Sequence, residues 1–252
     1  MEEMLYQMIF KRKSFHIFKD IGEISPSELA QIEEMFQACK PLVPGIRVGM
    51  KIVPAEKTTC KRGEEYCILL YSEQKEHYLQ NIGYIGKQMD LYLASMNIGA
   101  LWFGIGKTEE QLDGLDFVIM IAVAKMEEGR FRKDMFKSKR KPLDEIWTGD
   151  AHRGIAQIAR FAPSASNTQP WIVESGEKEL AVYRYQKPGK RGIMPADRVT
   201  FYNRIDMGIF LLFLELCLGH EGIEFERRLY EDRGDGEKTP AALYKLCFEQ
   251  KC

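Results

Sequence analysis

The chain has 252 residues with Lys+Arg 36 against Asp+Glu 37 and 45% hydrophobic residues, the profile of an ordinary globule with room for a sizeable core. A net charge of -1 gives no reason to expect a nucleic-acid partner, and a disordered or fibrous chain is excluded by composition.

The N-terminal stretch MEEMLYQMIFKRKS has acids at Glu2 and Glu3 and too short an apolar run for a secretory leader. Three cations, a hydroxyl and a histidine follow in KRKSFHIF, from Lys11 to Phe18. A solvated basic patch would have this composition, and so would an anion clamp in which Arg12 and Ser14 hold phosphate oxygens. Ser25-Pro26-Ser27-Glu28 has the form of a capping box with proline at the first helical position. Leu29, Ile32, Met35 and Phe36 then recur with helical spacing, which predicts a helix over 26–39.

YCILLYSE, Tyr66 to Glu73, reads as a strand. A helix is predicted over 78–96, with Ile85, Met89, Tyr92 and Met96 on one face. FVIMIAVA, Phe117 to Ala124, reads as a second buried strand, and the basic segment 129–145 after it offers little to a core. Asp150 is placed to cap a helix over 151–161. Strands WIVES and LAVYRY follow, separated by a Gly176-Glu177-Lys178 turn. The run Met207 to Gly219 is shorter than a bilayer requires and contains Glu215, so it reads as part of a core helix over 205–218 rather than a membrane span. Strands near 225–230 and 243–248 close the chain.

The six cysteines form no C-x-x-C pair and no cluster with histidine at metal-ligand spacing. They read as reduced thiols in a cytosol, with no metal site. GIGKT, Gly104 to Thr108, ends like a phosphate-binding P-loop, but Leu101 stands where that motif needs its first glycine. The order helix, strand, long apolar helix, strand occurs twice, and Ala30-Gln31-Ile32 recurs as Ala156-Gln157-Ile158. An internal duplication is the expectation, with halves 1–148 and 149–252 packed as one globular unit.

ARFAPSASNTQPW, Ala159 to Trp171, crowds hydroxyls and amides onto one loop, which suits a ligand rich in hydroxyl and carbonyl groups. This loop resembles the second signature of the nitroreductase and flavin reductase superfamily, and RKSFHIF resembles its first. IGALWFGIG, Ile98 to Gly106, is similar to the family's glycine-rich segment, and KSKRKPLDE to its basic tail. The resemblance implies an α+β, nitroreductase-like fold with a central sheet, and an FMN-dependent oxidoreductase taking hydride from NADH or NADPH by a ping-pong route. A quinone, nitro compound or similar small molecule would be the electron acceptor.

Carried over by resemblance, Arg12, Lys13, Ser14 and His16 would hold the flavin phosphate, with Lys139 or Arg140 adding a cation. Trp102, Phe103 and Gly104 would lie near the isoalloxazine, and Pro163, Ser164, Ala165 and Asn167 would close on the flavin. No acid or base is assigned. His16 departs from the pattern, which usually has a cation there. The order departs too: the first-half counterpart of the Pro-Ser loop, QACKPLVPGIRVGMKIV, lacks the serine and asparagine. Each half retains what the other lost, so the chain resembles the branch in which one polypeptide mimics the usual dimer. One FMN per chain, no obligatory dimer, a cytoplasmic location, and no membrane partner are the expectations. A flavin-binding protein without turnover, serving as sensor, carrier or interaction module, is the alternative.

Overall fold

The computed structural model describes residues 1–186, 189, 191–232, 234 and 236–247. The chain divides into two compact units, Gln7–Met135 and Met1–Tyr6 with Phe136–Cys252. The N-terminal helix α1, Glu2–Lys11, was not anticipated.

In the Gln7–Met135 unit, α2 (Pro26–Ala38) begins with the complete capping box. Ser25 accepts from the Glu28 backbone N–H, and the Glu28 carboxylate accepts from that of Ser25. Losing such a cap costs about 0.5–2 kcal/mol. Strands β1 (Val48–Pro54), β2 (Tyr66–Ser72), β3 (Ile98–Phe103) and β4 (Asp116–Lys125) form an antiparallel sheet in the order β1-β2-β4-β3. The central pair, β2 and β4, are near-continuous apolar runs because both of their faces are covered. Between β2 and β3 runs α3, Tyr78–Ser95, buried around almost its whole circumference rather than on the single face its periodicity suggests. Its buried polar side chains therefore need partners. Gln88 brackets the backbone of Lys40, and Asn81 Oδ1 accepts the Val43 N–H at 3.1 Å.

In the other unit, β6 (Trp171–Ser175), β7 (Glu179–Tyr185), β8 (Glu224–Leu229) and β9 (Lys238–Cys247) lie in the order β6-β7-β9-β8. A two-residue strand, β5 (Trp147–Thr148), joins β6 in parallel at the edge. The core helix, α6, runs from Val199 to His220, six residues earlier and two later than the apolar run predicts. Two strands, a long buried helix and two strands thus recur, and in each unit the strand before the helix pairs with the strand that ends the unit. The expected central sheet is accordingly two sheets.

Other elements differ locally. The helix α5 covers only Arg153–Ala159, and the residue before it is His152 in the left-handed region, while Asp150 is exposed and makes an ion pair with Arg153 at 3.6 Å. The basic segment buries Phe131, Met135 and Leu143, and its end forms the short helix α4, Leu143–Ile146. Strand β9 starts at Lys238, five residues before its expected start, and Phe248 lies outside the described residues. Strands β1 and β3 were not anticipated. After β3 the GIGKT segment turns and bridges Thr108 to Thr58 without entering a helix, so the P-loop likeness ends there.

Candidate functional site

Two groups of predicted residues emerge, one in each unit. The first is built on α3. Asp90 is 1% exposed and receives three side-chain donors: Arg12 Nε at 2.9 Å, Lys87 Nζ at 2.7 Å and Trp102 Nε1 at 3.0 Å. Arg12 Nη2 also reaches Ser14 Oγ at 3.4 Å. Ser14 pairs with Ala100, and Phe15 N–H donates to the Ala100 carbonyl at 3.1 Å, so residues 14–15 lie along β3. Gly99 permits this approach, since a Cβ there would sit 2.8 Å from the Phe15 ring.

The electrostatics of this group are asymmetric. Burial would raise the Asp90 pKa, but the charges of Arg12 and Lys87 outweigh it and hold the carboxyl at about 2. Lys87 is fully buried; burial and then the neighbouring Arg12 charge bring its ammonium down to about 7. Arg132 is lowered too, by burial first and by Arg12 second. Three cations thus share a small region with one carboxylate. The surplus positive charge is what an anion would neutralise.

The remaining first-signature residues are less enclosed. Lys13 Nζ donates to the Arg130 carbonyl at 2.9 Å and lies 5.0 Å from the Phe15 ring, and His16 is exposed. Phe103 is half-buried with Arg62 over its ring, and Gly104 opens the turn after β3. Gly86 on α3 lets Trp102 in, because an added Cβ would fall 2.8 Å from the indole.

The second group surrounds the turn Pro163–Gln169. Asn167 Oδ1 accepts from Arg140 Nη1 at 3.1 Å, and Asn167 Nδ2 donates to the Lys139 carbonyl at 3.2 Å. Arg140 also donates to the Lys139 and Phe161 carbonyls. The two basic-tail candidates are therefore fixed to the turn, one through its guanidinium and one through its backbone. Ser164 Oγ accepts the Gln169 N–H at 2.8 Å, and Ala165 N–H donates to Asp206 Oδ1 at 3.0 Å. Ser166, Asn167 and Gln169 all have positive φ, a strained sequence of backbone conformations for side-chain-bearing residues. Asp206 is buried on α6, and burial raises its pKa well above the ordinary carboxyl value against the single backbone bond that opposes it.

Sequence reasoning missed Lys87, Asp90, Arg132 and Asp206. The first two stood in plain view as opposite charges three residues apart in an otherwise uncharged helix, a signal of a buried pair. Burial pushes the thiols of Cys39 and Cys60 up to about 12, so neither offers a nucleophile. Among the described residues no group of His, Cys, Asp and Glu is able to hold a metal ion, and no helix is long and apolar enough to cross a membrane.

Comparison with solved structures gives the same fold. A nitroreductase of Thermotoga maritima superposes over 96% of this chain and 92% of its own, with a TM-score of 0.64 and 19% identity. A Desulfovibrio desulfuricans nitroreductase solved in complex with FMN covers 56% of this chain and 93% of its own, at 19% identity and a TM-score of 0.41. An NADH oxidase of Clostridium acetobutylicum covers 55% and 96%, at 13% identity and 0.42. No curated protein matches the chain. A family model described as putative TM nitroreductase matches residues 4–218, which include α3, all but the last two residues of α6, the cation group and the Pro163–Gln169 turn. With the signatures, the α+β fold and the match over most of its length in agreement, the chain belongs to the TM nitroreductase family.

Proposed function

We propose that the protein is an FMN-dependent NAD(P)H oxidoreductase that reduces a quinone, nitro compound or similar small molecule. The observation that supports this reading best is the surplus of buried positive charge around Asp90. A structural ion pair would match one cation to one carboxylate, whereas Asp90 pairs with both Arg12 and Lys87, and the charge of Arg12 reaches Arg132 as well. A phosphate dianion fits that imbalance, and flavin mononucleotide ends in one.

In this reading Arg12, Ser14 and Arg132 bind the phosphate, and Lys87 responds to it by holding its proton more firmly. Asp90 fixes the Arg12 and Lys87 head groups before the ligand arrives, so little ordering remains to be done on binding. Trp102 is oriented by its hydrogen bond to Asp90, and with Phe103 and Gly104 it is the proposed neighbour of the isoalloxazine. The Pro163–Asn167 turn is proposed to add backbone and amide contacts. When bound, FMN would supply the redox chemistry, accepting hydride from the nicotinamide and passing electrons to the acceptor. The protein's part is to hold and orient, and no side chain is assigned as acid or base.

Titration with FMN, followed by flavin fluorescence, is the test. One FMN should bind per chain. Arg132→Ala leaves the Arg12–Asp90 pair in place and should weaken FMN by about 1.5–3 kcal/mol, the worth of a hydrogen bond to a charged group. Unchanged affinity in both Arg132→Ala and Arg12→Ala would remove the phosphate assignment. Asn167→Ala, alone and combined with Arg132→Ala, reports through non-additivity whether the turn contacts the same molecule. Steady-state oxidation of NADH and NADPH with a quinone then separates an enzyme from a flavin carrier.

A further inference from the structure

Strand β8, Glu224–Leu229, ends the sheet of the Phe136–Cys252 unit as β3 ends that of the Gln7–Met135 unit, and each directly follows a long helix. Their outer edges differ. Along β3 the edge is taken by residues 14–15, with the Phe15 N–H on the Ala100 carbonyl. Along β8, among the described residues, no strand or bridge takes it.

One bond sets the direction of the backbone. Tyr230 N–H donates to the Ala241 carbonyl at 3.0 Å, and in an antiparallel ladder alternate residues turn to opposite sides. Glu224, Glu226 and Arg228 therefore face β9, whereas Phe225 and Leu229 aim their N–H and C=O groups away from it. An edge with such groups is a template for another strand.

The side chains alternate as well. Glu226 and Arg228 are exposed on one face of the sheet, while Phe225, Arg227 and Leu229 are half-buried on the other, where Arg227 meets Glu215 of α6. Among the described residues neither Glu226 nor Arg228 makes an ion pair within the chain; Arg228 lies 5.3 Å from the Tyr230 ring.

Charges on an edge strand commonly repel a second copy. On β8 the order of signs does the opposite. A second β8 laid antiparallel with Phe225 opposite Leu229 joins the outward-facing groups of both copies. In that register Glu226 of each copy stands opposite Arg228 of the other, in the closely spaced positions between hydrogen-bonded pairs. The two-fold axis passes Arg227, whose charge is already matched by Glu215 of its own chain. A slip of two residues either way sets Glu226 against Glu226 or Arg228 against Arg228, so one register is favoured.

We propose that β8 is a self-association edge through which two copies of this chain pair antiparallel, making one continuous sheet out of two five-stranded ones. Two Glu226–Arg228 ion pairs and two Phe225–Leu229 contacts fix the register. The proposal goes beyond the flavin reading and does not depend on it.

Sedimentation equilibrium of the full chain over a range of concentrations is the test. The parent should show a reversible monomer–dimer equilibrium. Glu226→Arg and Arg228→Glu each set like charges face to face, and each should weaken the dimer by about tenfold or more. An equimolar mixture of these two variants should associate as tightly as the parent, because every facing pair is again of opposite sign. The double variant carrying both changes should regain the dimer for the same reason, which separates lost pairing from lost folding. A parent that stays monomeric, a dimer indifferent to both single swaps, or failure of both the mixture and the double variant to restore association would overturn the proposal.

Discussion

The long helices α3 and α6 do the same mechanical job with different chemistry. Each ties down the loop that follows the helix before it, through one backbone N–H and one side-chain oxygen: Val43 to Asn81 at 3.1 Å, and Ala165 to Asp206 at 3.0 Å. Each also carries an acid nearer its C-terminus, buried on α3 and half-buried on α6. On α6 that acid is Glu215, which receives Arg227 and the Tyr244 hydroxyl, one cation to one carboxylate. On α3 it is Asp90, which receives both Arg12 and Lys87. The repeated topology sets where a polar anchor is needed. The residues installed there decide whether the anchor is electrically closed, as on α6, or left with more positive than negative charge, as on α3.

The sharpest way to break this contrast is to remove Asp90. Asp90→Ala leaves Arg12 and Lys87 facing each other without their shared partner, and should cost about 3–5 kcal/mol of stability, read as a lower urea midpoint. A loss below 1 kcal/mol would mean that the cations do not depend on the acid. Gly86→Ala attacks the same group sterically, since the new methyl would press on Trp102 and Leu70 at 2.8 Å. An expected cost of about 1–3 kcal/mol, with a shifted Trp fluorescence maximum, would show that Trp102 had been displaced.

A gentler change converts one helix into the other. Asp206→Asn copies Asn81, keeps an acceptor for the Ala165 N–H and removes a carboxyl that burial disfavours in its charged form. Because its folded pKa is raised, Asp206 binds its proton more tightly when folded, so its contribution to stability declines as pH rises from the ordinary carboxyl range to the raised value. The variant should therefore be stabilised by about 1 kcal/mol at pH 8 and match the parent near pH 3. Stability that falls at both pH values would show that the carboxyl makes a bond the amide cannot.

Lys87 offers the smallest effect and the most diagnostic one. Its pKa is lowered to about 7, so the folded protein binds fewer protons than the unfolded chain between about pH 7 and the ordinary lysine value. Stability of the free protein should consequently rise with pH across that window. A phosphate bound nearby would favour the ammonium, so FMN binding at pH 8 should take up a fraction of a proton, visible as a dependence of calorimetric heat on buffer ionisation enthalpy. Lys87→Met should abolish the uptake.

Much of the architecture was legible because its signals are local. The Ser25–Glu28 box and the apolar runs of β2, β4 and α6 are contained within single segments; the first three formed near their expected bounds, and α6 extends six residues further towards the N-terminus. The Pro163–Asn167 turn was legible by its composition. Tertiary pairing hid the rest. Strand β3 reads as a glycine-rich loop because Gly99 is there to admit residues 14–15, a fact about a neighbour 85 positions away in sequence. Arg132 lies in a segment that looks like solvated charge, and only folding brings it to Arg12. Asp206 gave no signal, because its partner, the Ala165 N–H, is a backbone group that no side-chain pattern displays.

The small strand β5 bears on how this polypeptide could be divided. Trp147 and Thr148 extend the sheet of the later unit by pairing with β6, while Gly149 turns at φ 94° so close to the Ser175 carbonyl that no side chain would fit. Residues 136–148, which by sequence conclude the first repeat, thus belong structurally to the second. The line along which a duplicated gene would be read as two copies does not coincide with the line along which the fold comes apart. A fragment starting at residue 149 would expose the bare edge of β6 and invite pairing with another molecule, whereas one starting at 136 would bring its own hem with it.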